Sequence, residues 1–362
     1  MPLMFDHIKS PFAMAPMAGM TDTAFRRLVK RQGGCGLVVT EMVSSEGLVR
    51  GIDRTLEFAE YTEEERPVSI QIFGGDPAKM AEAARIVESM GADAVDINMG
   101  CPVPKIAKHN AGCSLMREPA HAASVIKAMV DAVRIPVTVK MRAGWNDSEI
   151  NAPILARMAE DAGASAVAVH GRTAAQSYSG LSDWDLIDRV AGSLKIPVFG
   201  SGDCVDAAQM VDRLRTTRVA GVLVGRGALR NPWIFEQADA LLSGRAPREV
   251  SMAERGQFLL DYIDLLLAER VAEDTGFRHT APGHDAAAPV DTTPRGRKKW
   301  VINKLRALNS WYTKGFVGGS DLRVAINSAE SIDHLRGIII EFFGVGRDAG
   351  DPERSSVLAH RA

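Results

Sequence analysis

The sequence predicts an α/β fold, a (β/α)8 TIM barrel followed by a small all-helical C-terminal domain, and three observations carry that prediction. First, short apolar runs that end in glycine or a polar residue recur at 12–17, 37–41, 68–73, 94–98, 137–141, 166–170, 198–201 and 221–224. Eight is the number of strands that closes a parallel barrel. Second, amphipathic stretches at 77–90, 119–133, 150–162 and 206–214 lie between the runs, and this alternation implies parallel strands joined by crossover helices. Third, from about Ser251 the pattern becomes helical without strand-like runs, at 254–270, 298–314 and 328–343.

Taken in order, the runs read FAMAPM, LVVTE, VSIQIF, AVDIN, VTVKM, AVAVH, VFGS and GVLV. Each is too short for a buried helix and is closed by a turn-forming or polar residue. The boundary between barrel and helical domain is placed at 245/246, with the helical domain running to 346. Residues 275–294, rich in Pro, Ala, Thr and Gly, cannot supply a packed face and are expected to be a flexible insertion. Residues 347–362 are expected to be a loose tail.

Bulk properties agree with two domains. The chain has 362 residues, and a barrel of roughly 250 leaves about a hundred for the appended domain. Hydrophobic residues at 46% against 24% charged are those of an ordinary globular protein with material for a large core. The start, MPLMFDHIKS, has no basic region followed by an apolar run, and no segment supplies the roughly 18 apolar residues of a membrane span. A cytoplasmic monomer without a membrane segment is expected. Cys35, Cys101, Cys113 and Cys204 show no paired spacing, so neither a metal centre nor a disulfide framework is predicted. A formal charge of −2 excludes a uniformly basic coat, so any nucleic-acid binding must come from one face.

The segment at 96–105, DINMGCPVPK, ends an apolar run in Asn98, Gly100 and the Cys101-Pro102 pair. At the catalytic rim of a parallel barrel, Cys101 is available as an acid or nucleophile, the alternative being a small buried hydrophobe. Gln71, Asn98, Lys140 and His170 also stand at the ends of apolar runs. Each by itself is compatible with a hydrogen-bonded core residue. Lys140 is the hardest to place that way, because lysine is almost never fully buried unpaired, and it is expected to face a ligand anion. The last two runs end in Ser201-Gly202-Asp203 and Gly225-Arg226-Gly227. Loops after strands seven and eight of this architecture often bind phosphate through backbone amides, here with Arg226 beside them. No GxGxxG fingerprint follows the first run, so a mononucleotide flavin fits better than a dinucleotide in a Rossmann cleft.

Five motifs extend this reading: APMAGMTD at 15–22, SIQIFGGDP at 69–77, DINMGCPVPK at 96–105, VKMRAGW at 139–145 and VHGRTAAQSYSG at 169–180. In order and spacing the chain resembles the tRNA-dihydrouridine synthases, nearest their bacterial B-type subgroup, over about residues 8–240. The resemblance implies FMN as cofactor, with Pro16, Met17 and Ala18 against the ring, Gln71 and Lys140 at its polar edge, His170 near the phosphate side, and Ser201, Gly202, Asp203, Gly225 and Arg226 at the phosphate. It implies a reductase that converts tRNA uridine to 5,6-dihydrouridine and reloads FMN from NADPH. A uracil ring needs a hydride at C6 and a proton at C5, and Cys101, a thiol of pKa roughly 8.5, is the expected proton donor. Asn98 is expected at the pyrimidine edge, and Lys105 and Arg172 near the backbone of a flipped-out nucleotide.

A uridine stacked in folded tRNA has to leave its stack, so an RNA-gripping domain is required. The helical domain is the candidate, through the basic run at 295–306 with Arg297, Lys298, Lys299 and Arg306. Here the chain departs from the family it resembles. Arg306-Ala307-Leu308 stands where an Arg-Lys-His triplet is usual, Ser201 replaces an Asn, and residues 108–113 read KHNAGC. A family scaffold with lost or changed activity is therefore the competing reading. A barrel flavoenzyme acting on a free small molecule is a third, weakened by the appended helices.

Overall fold

The computed structural model describes residues 8–107, 110–268, 276–283 and 294–346, without the side chains at 53, 54, 105, 107, 294 and 295. Strands β1 (Phe12–Met14), β2 (Leu37–Val39), β3 (Val68–Phe73), β4 (Ala94–Met99), β5 (Val137–Arg142), β6 (Ala166–His170), β7 (Val198–Ser201) and β8 (Gly221–Val224) follow the eight predicted runs. All neighbours are parallel, β1 pairs with both β8 and β2, and β2 pairs with β3, so the sheet closes into a barrel. A two-residue strand, Val43–Ser44, adds to the upper end of β3.

Register explains why the polar run-ends converge. Asn98 lies opposite Lys140, Arg142 opposite His170, and His170 opposite Ser201. Side chains alternate along a strand, so these residues share the inward face toward the C-terminal rim, with Lys140 one inward position below Arg142. Below them the interior is filled by Ala13, Leu37, Phe199 and Leu223. A cavity of about 30 Å³ remains there, with Ser69, Asp96, Thr138 and Lys140 among its lining.

The crossover helices form because apolar residues at helical spacing meet the outside of the sheet. In Pro77–Ser89, Met80, Ala83, Ala84 and Val87 are fully buried, and burying a Met or Val side chain is worth roughly 1.5–3 kcal/mol. Helix starts are fixed by acids: Asp22 accepts from the Phe25 N–H, Asp76 from those of Ala78 and Lys79, Asp183 from Leu186, and Asp206 from Gln209. Each such cap contributes about 1 kcal/mol. A buried ion pair of Arg26 and Glu65 at 2.5 Å ties the first helix, Thr23–Gln32, to the turn before β3. Arg26 also donates to the Thr21 carbonyl at 2.8 Å, which fixes the end of the β1 loop.

The chain divides into two compact units, one of residues 1–248 with 270–290, the other of 249–269 with 291–362. The described helices of the second unit are Met252–Ala268, Pro294–Tyr312, Gly319–Ser328 and Ile332–Phe343. Its core gathers around Tyr312, whose ring meets Phe258, Phe316 and Phe343 and whose hydroxyl donates to the Arg255 carbonyl at 2.9 Å. Two expectations need correction. The helix expected over 328–343 starts at Ile332, because Ser331 is extended and its hydroxyl caps the His334 N–H, and a separate helix, Gly319–Ser328, precedes it. Within the insertion expected at 275–294, Arg278–His279 forms an antiparallel strand with Tyr61–Thr62, and the His279 ring stacks on Tyr61 at 4.5 Å. That segment is part of the barrel unit. The expected tail at 347–362 lies outside the described residues.

Candidate active site

Several strands deliver polar groups to the rim where they end. From β4, Asn98 turns its Oδ1 toward the loop that follows and accepts the N–H groups of Gly100 at 3.1 Å and Cys101 at 2.9 Å. This bends the chain after the strand and leaves the Cys101 thiol only partly buried. Burial pushes the Cys101 pKa up, opposed by the Val103 N–H and the Arg142 charge. The group is therefore a thiol at neutral pH. Cys35, Cys113 and Cys204 are buried.

Gln71, from β3, is fully buried and donates from Nε2 to Asp96 at 2.7 Å, while its Oε1 accepts from Asn98 Nδ2 at 2.7 Å. This residue, expected at a flavin edge, links Asp96 to Asn98 in this structure. Lys140, from β5, makes no hydrogen bond or ion pair among the described residues. Burial, then the neighbouring Arg142, lowers its pKa to about 8, so it is still mainly an ammonium at pH 7. From β6, His170 is driven down to about 2 by burial and by the Lys140 and Arg142 charges, and its buried Nδ1 has no partner. It is a neutral imidazole.

Arg142 was not singled out from the sequence. Its Nε donates to the Gly100 carbonyl at 2.9 Å and its Nη1 to Thr173 and Ser177 carbonyls at 3.0 Å, so it straps the Cys101 loop to the β6 loop. The signal was its place two residues after Lys140 on one strand, hence on the same face.

After β7 and β8 the backbone closes in. A Cβ on Gly202 would lie 2.2 Å from Ser182 Oγ, and one on Gly225 would lie 3.1 Å from Met17 Sδ, so the β1 and β8 loops touch there. Asp203 sits in the left-handed region at φ 53°. Its carboxylate accepts from Arg172 Nη2 and the Ser182 N–H, both at 2.7 Å. Arg226 lies 3.6 Å from Asp203 and 4.8 Å above the exposed Tyr178 ring. Pro16 and Met17 are partly buried and Ala18 is exposed at the end of the β1 loop.

Three residues expected at the substrate are engaged within the protein in this structure. Arg172, expected near a nucleotide backbone, is buried and holds its own loop through Ser179, Gly180 and Asp203. Arg297, expected on RNA, donates Nε and Nη2 to the Leu266 carbonyl and stacks over Trp300. Arg306 is similarly engaged with Asn303 and the Ala329 carbonyl, and Leu308 is buried in the helical core. Lys298 and Lys299 are exposed. Lys105 lies on the one-turn helix Pro104–Ala107, and the side chain of Lys105, with residues 108 and 109, lies outside the described residues.

The donors fit an anionic, phosphorylated ring ligand. Lys140 offers an ammonium without a partner, His170 an imidazole with an orphaned nitrogen, and Gly202 and Gly225 close backbone approach. Among the described residues no group of His, Cys, Asp and Glu is arranged to hold a metal, and no helix is long and apolar enough to cross a membrane.

Comparison with known proteins gives the same direction. Residues 13–293 match the family model described as dihydrouridine synthase (Dus). A probable tRNA-dihydrouridine synthase of Rickettsia conorii is 36% identical over 338 residues, covering 93% of this chain and 94% of that protein. One from Rhodobacter capsulatus is 44% identical over 261 residues, 71% of this chain and 80% of that one. A tRNA-dihydrouridine synthase B of Xanthomonas axonopodis pv. citri is 36% identical over 331 residues, 91% and 92% of the two chains. Among solved structures, a histamine dehydrogenase from Rhizobium sp. 4-9 superposes with a TM-score of 0.50 at 12% identity, over 72% of this chain and 51% of that one, a likeness of fold. With the family model spanning most of the sequence and two of these relatives matching nearly end to end, the chain belongs to the dihydrouridine synthase family, a family of flavin-dependent oxidoreductases.

Proposed function

We propose that this protein reduces a uridine of tRNA to 5,6-dihydrouridine, with FMN at the barrel mouth recharged by NADPH. The observation that carries the reading is a partly exposed, protonated Cys101 thiol on the same rim as the unpaired Lys140 ammonium and Asn98. When bound and reduced, the flavin supplies the hydride for C6 of the uracil. Every other requirement falls to side chains of this chain. Cys101 holds the proton for C5, and its pKa, pushed up by burial, keeps that proton in place at neutral pH. Lys140, inside the barrel where a low dielectric strengthens attraction, would meet the negative charge of a bound reduced flavin. His170, neutral and opposite Ser201 on the next strand, offers a ring nitrogen without a partner, Nδ1. Asn98 has one N–H of Nδ2 beyond its bond to Gln71 and can present it to the pyrimidine.

The helical unit is the proposed grip on tRNA through the exposed Lys298 and Lys299. One observation favours the competing reading of a scaffold with altered activity: Arg306 is engaged within its own unit and Leu308 is in the core, so neither replaces the polar triplet of the resembling family. Incubation of the purified protein with unmodified tRNA and NADPH, followed by mass analysis of nucleosides, separates the two. Dihydrouridine together with a flavin absorption band supports the reductase. Bound flavin that NADPH reduces, with no dihydrouridine formed on any tRNA, selects the altered scaffold.

A further inference from the structure

Behind Asn98 the barrel interior holds a line of polar groups in which one member, Asp96, touches nothing at the rim. Thr138 Oγ1 donates to Asp96 Oδ1 at 2.5 Å, and Gln71 Nε2 donates to Asp96 Oδ2 at 2.7 Å. Gln71 Oε1 accepts from Asn98 Nδ2 at 2.7 Å, and Asn98 Oδ1 accepts from the Gly100 and Cys101 amides. Gln71, Asp96 and Asn98 are all buried. A carboxylate at this depth is costly, and the same interior is filled elsewhere by alanine, leucine and phenylalanine.

The direction of every bond follows from the acid. An ionised carboxylate only accepts, whereas a primary amide donates on one side and accepts on the other. Asp96 therefore compels Gln71 to turn its nitrogen inward and its oxygen toward Asn98. That in turn compels Asn98 to give its nitrogen to Gln71 and its oxygen to the Cys101 loop. Reversing the first amide would reverse the second and set two N–H groups against the N–H groups of Gly100 and Cys101. Burial raises the Asp96 pKa, and the hydrogen bonds from Gln71 and Thr138, with the charge of Lys140 on the adjacent strand, oppose that rise and favour the ionised form.

We infer that Asp96 is a positioning residue, which sets the orientation of the Gln71 and Asn98 amides and through them holds the loop that carries Cys101. The consequence for uridine reduction rests on the reading of Cys101 as proton donor. The consequence for the loop does not.

Hydrogen exchange of the Gly100 and Cys101 amides in the full-length protein tests the loop directly, with Asp96→Leu, Asp96→Asn and Gln71→Met. Asp96→Leu and Gln71→Met should each speed exchange at these two amides about tenfold, with strand β7 and β8 amides unchanged. Asp96→Asn should stay within about twofold of the parent, because its oxygen can still face Gln71 while its nitrogen donates to the Thr138 hydroxyl, which can also accept. Should Asp96→Leu fail to fold, Gln71→Met still breaks the line between acid and loop. Unchanged exchange in Gln71→Met overturns the inference, as does an Asp96→Asn variant as loose as the leucine one. Single-turnover uridine reduction is measured on the same proteins. If exchange quickens as stated and uridine reduction does not fall, the positioning role stands and the assignment of Cys101 as donor fails.

Discussion

Replacing Cys101 by alanine removes the proposed proton donor and little else, since the loop is held by main-chain groups of Gly100 and Cys101 on Asn98 and by the Gly100 carbonyl on Arg142. Burial raises the Cys101 pKa above the ordinary thiol value, which is roughly 8.5, so at pH 7 about 97% or more of the protein carries the proton. A well-placed general acid is worth roughly 10²–10⁴ in rate, about 3–5 kcal/mol of barrier. Cys101→Ala should lose that much in a single turnover of pre-reduced protein on unmodified tRNA, while the flavin spectrum and its reduction by NADPH match the parent. The parent rate should hold across the neutral range and fall as the pH rises through the thiol pKa, because the acid form is consumed. Alkylation adds an independent reading. Burial raises Cys35 to about 11 and Cys113 and Cys204 to about 12, so a thiol reagent applied near pH 8 should label Cys101 first and remove the same activity. A Cys101→Ala protein within threefold of the parent rate would refute the reasoning.

The remaining predictions concern cofactor, stability and RNA. Lys140→Met should weaken flavin retention, and in the parent, flavin affinity should decline as pH rises through about 8, where Lys140 loses its charge; a flat profile from pH 7 to 9 in equilibrium dialysis would reject the contact. Glu65→Gln leaves Arg26 charged in a site where both side chains are at most 2% exposed; breaking such a pair costs roughly 3–5 kcal/mol, and chemical denaturation showing a loss under about 1 kcal/mol would contradict it. Lys298→Gln with Lys299→Gln should reduce the slope of log affinity for tRNA against log salt by about 2. Arg297→Gln should instead lower the stability of the helical unit, since that guanidinium is bound to the Leu266 carbonyl; a slope unchanged in the double variant would remove the lysines from the RNA contact.

The barrel was legible in the sequence because its signal is local. A strand buried on both faces has to be apolar for four to six residues and then stop, and eight such stops, with helical stretches between them, describe a closed parallel sheet whatever the loops do. The same locality exposed Cys101, Asn98, Lys140 and His170, each a polar residue at the end of an apolar run, since a strand's last inward residue stands on the rim. What a group does once it is there was not local. Arg172 and Arg297 have the composition of phosphate binders, and only the tertiary structure shows Arg172 Nη2 given to Asp203, its Nη1 left without a partner, and Arg297 given to the Leu266 carbonyl. Gln71 and Asp96 are separated by 25 positions, and their bond depends on the register of β3 against β4, as the strap of Arg142 depends on loops after β4 and β6. The return of Arg278–His279 to the barrel unit likewise needs Tyr61–Thr62 as a partner strand, and no property of a Pro- and Gly-rich stretch announces where it will pair. Hydrophobic periodicity fixes which residues face inward; hydrogen bonds between chain-distant groups decide which of them stay free to act.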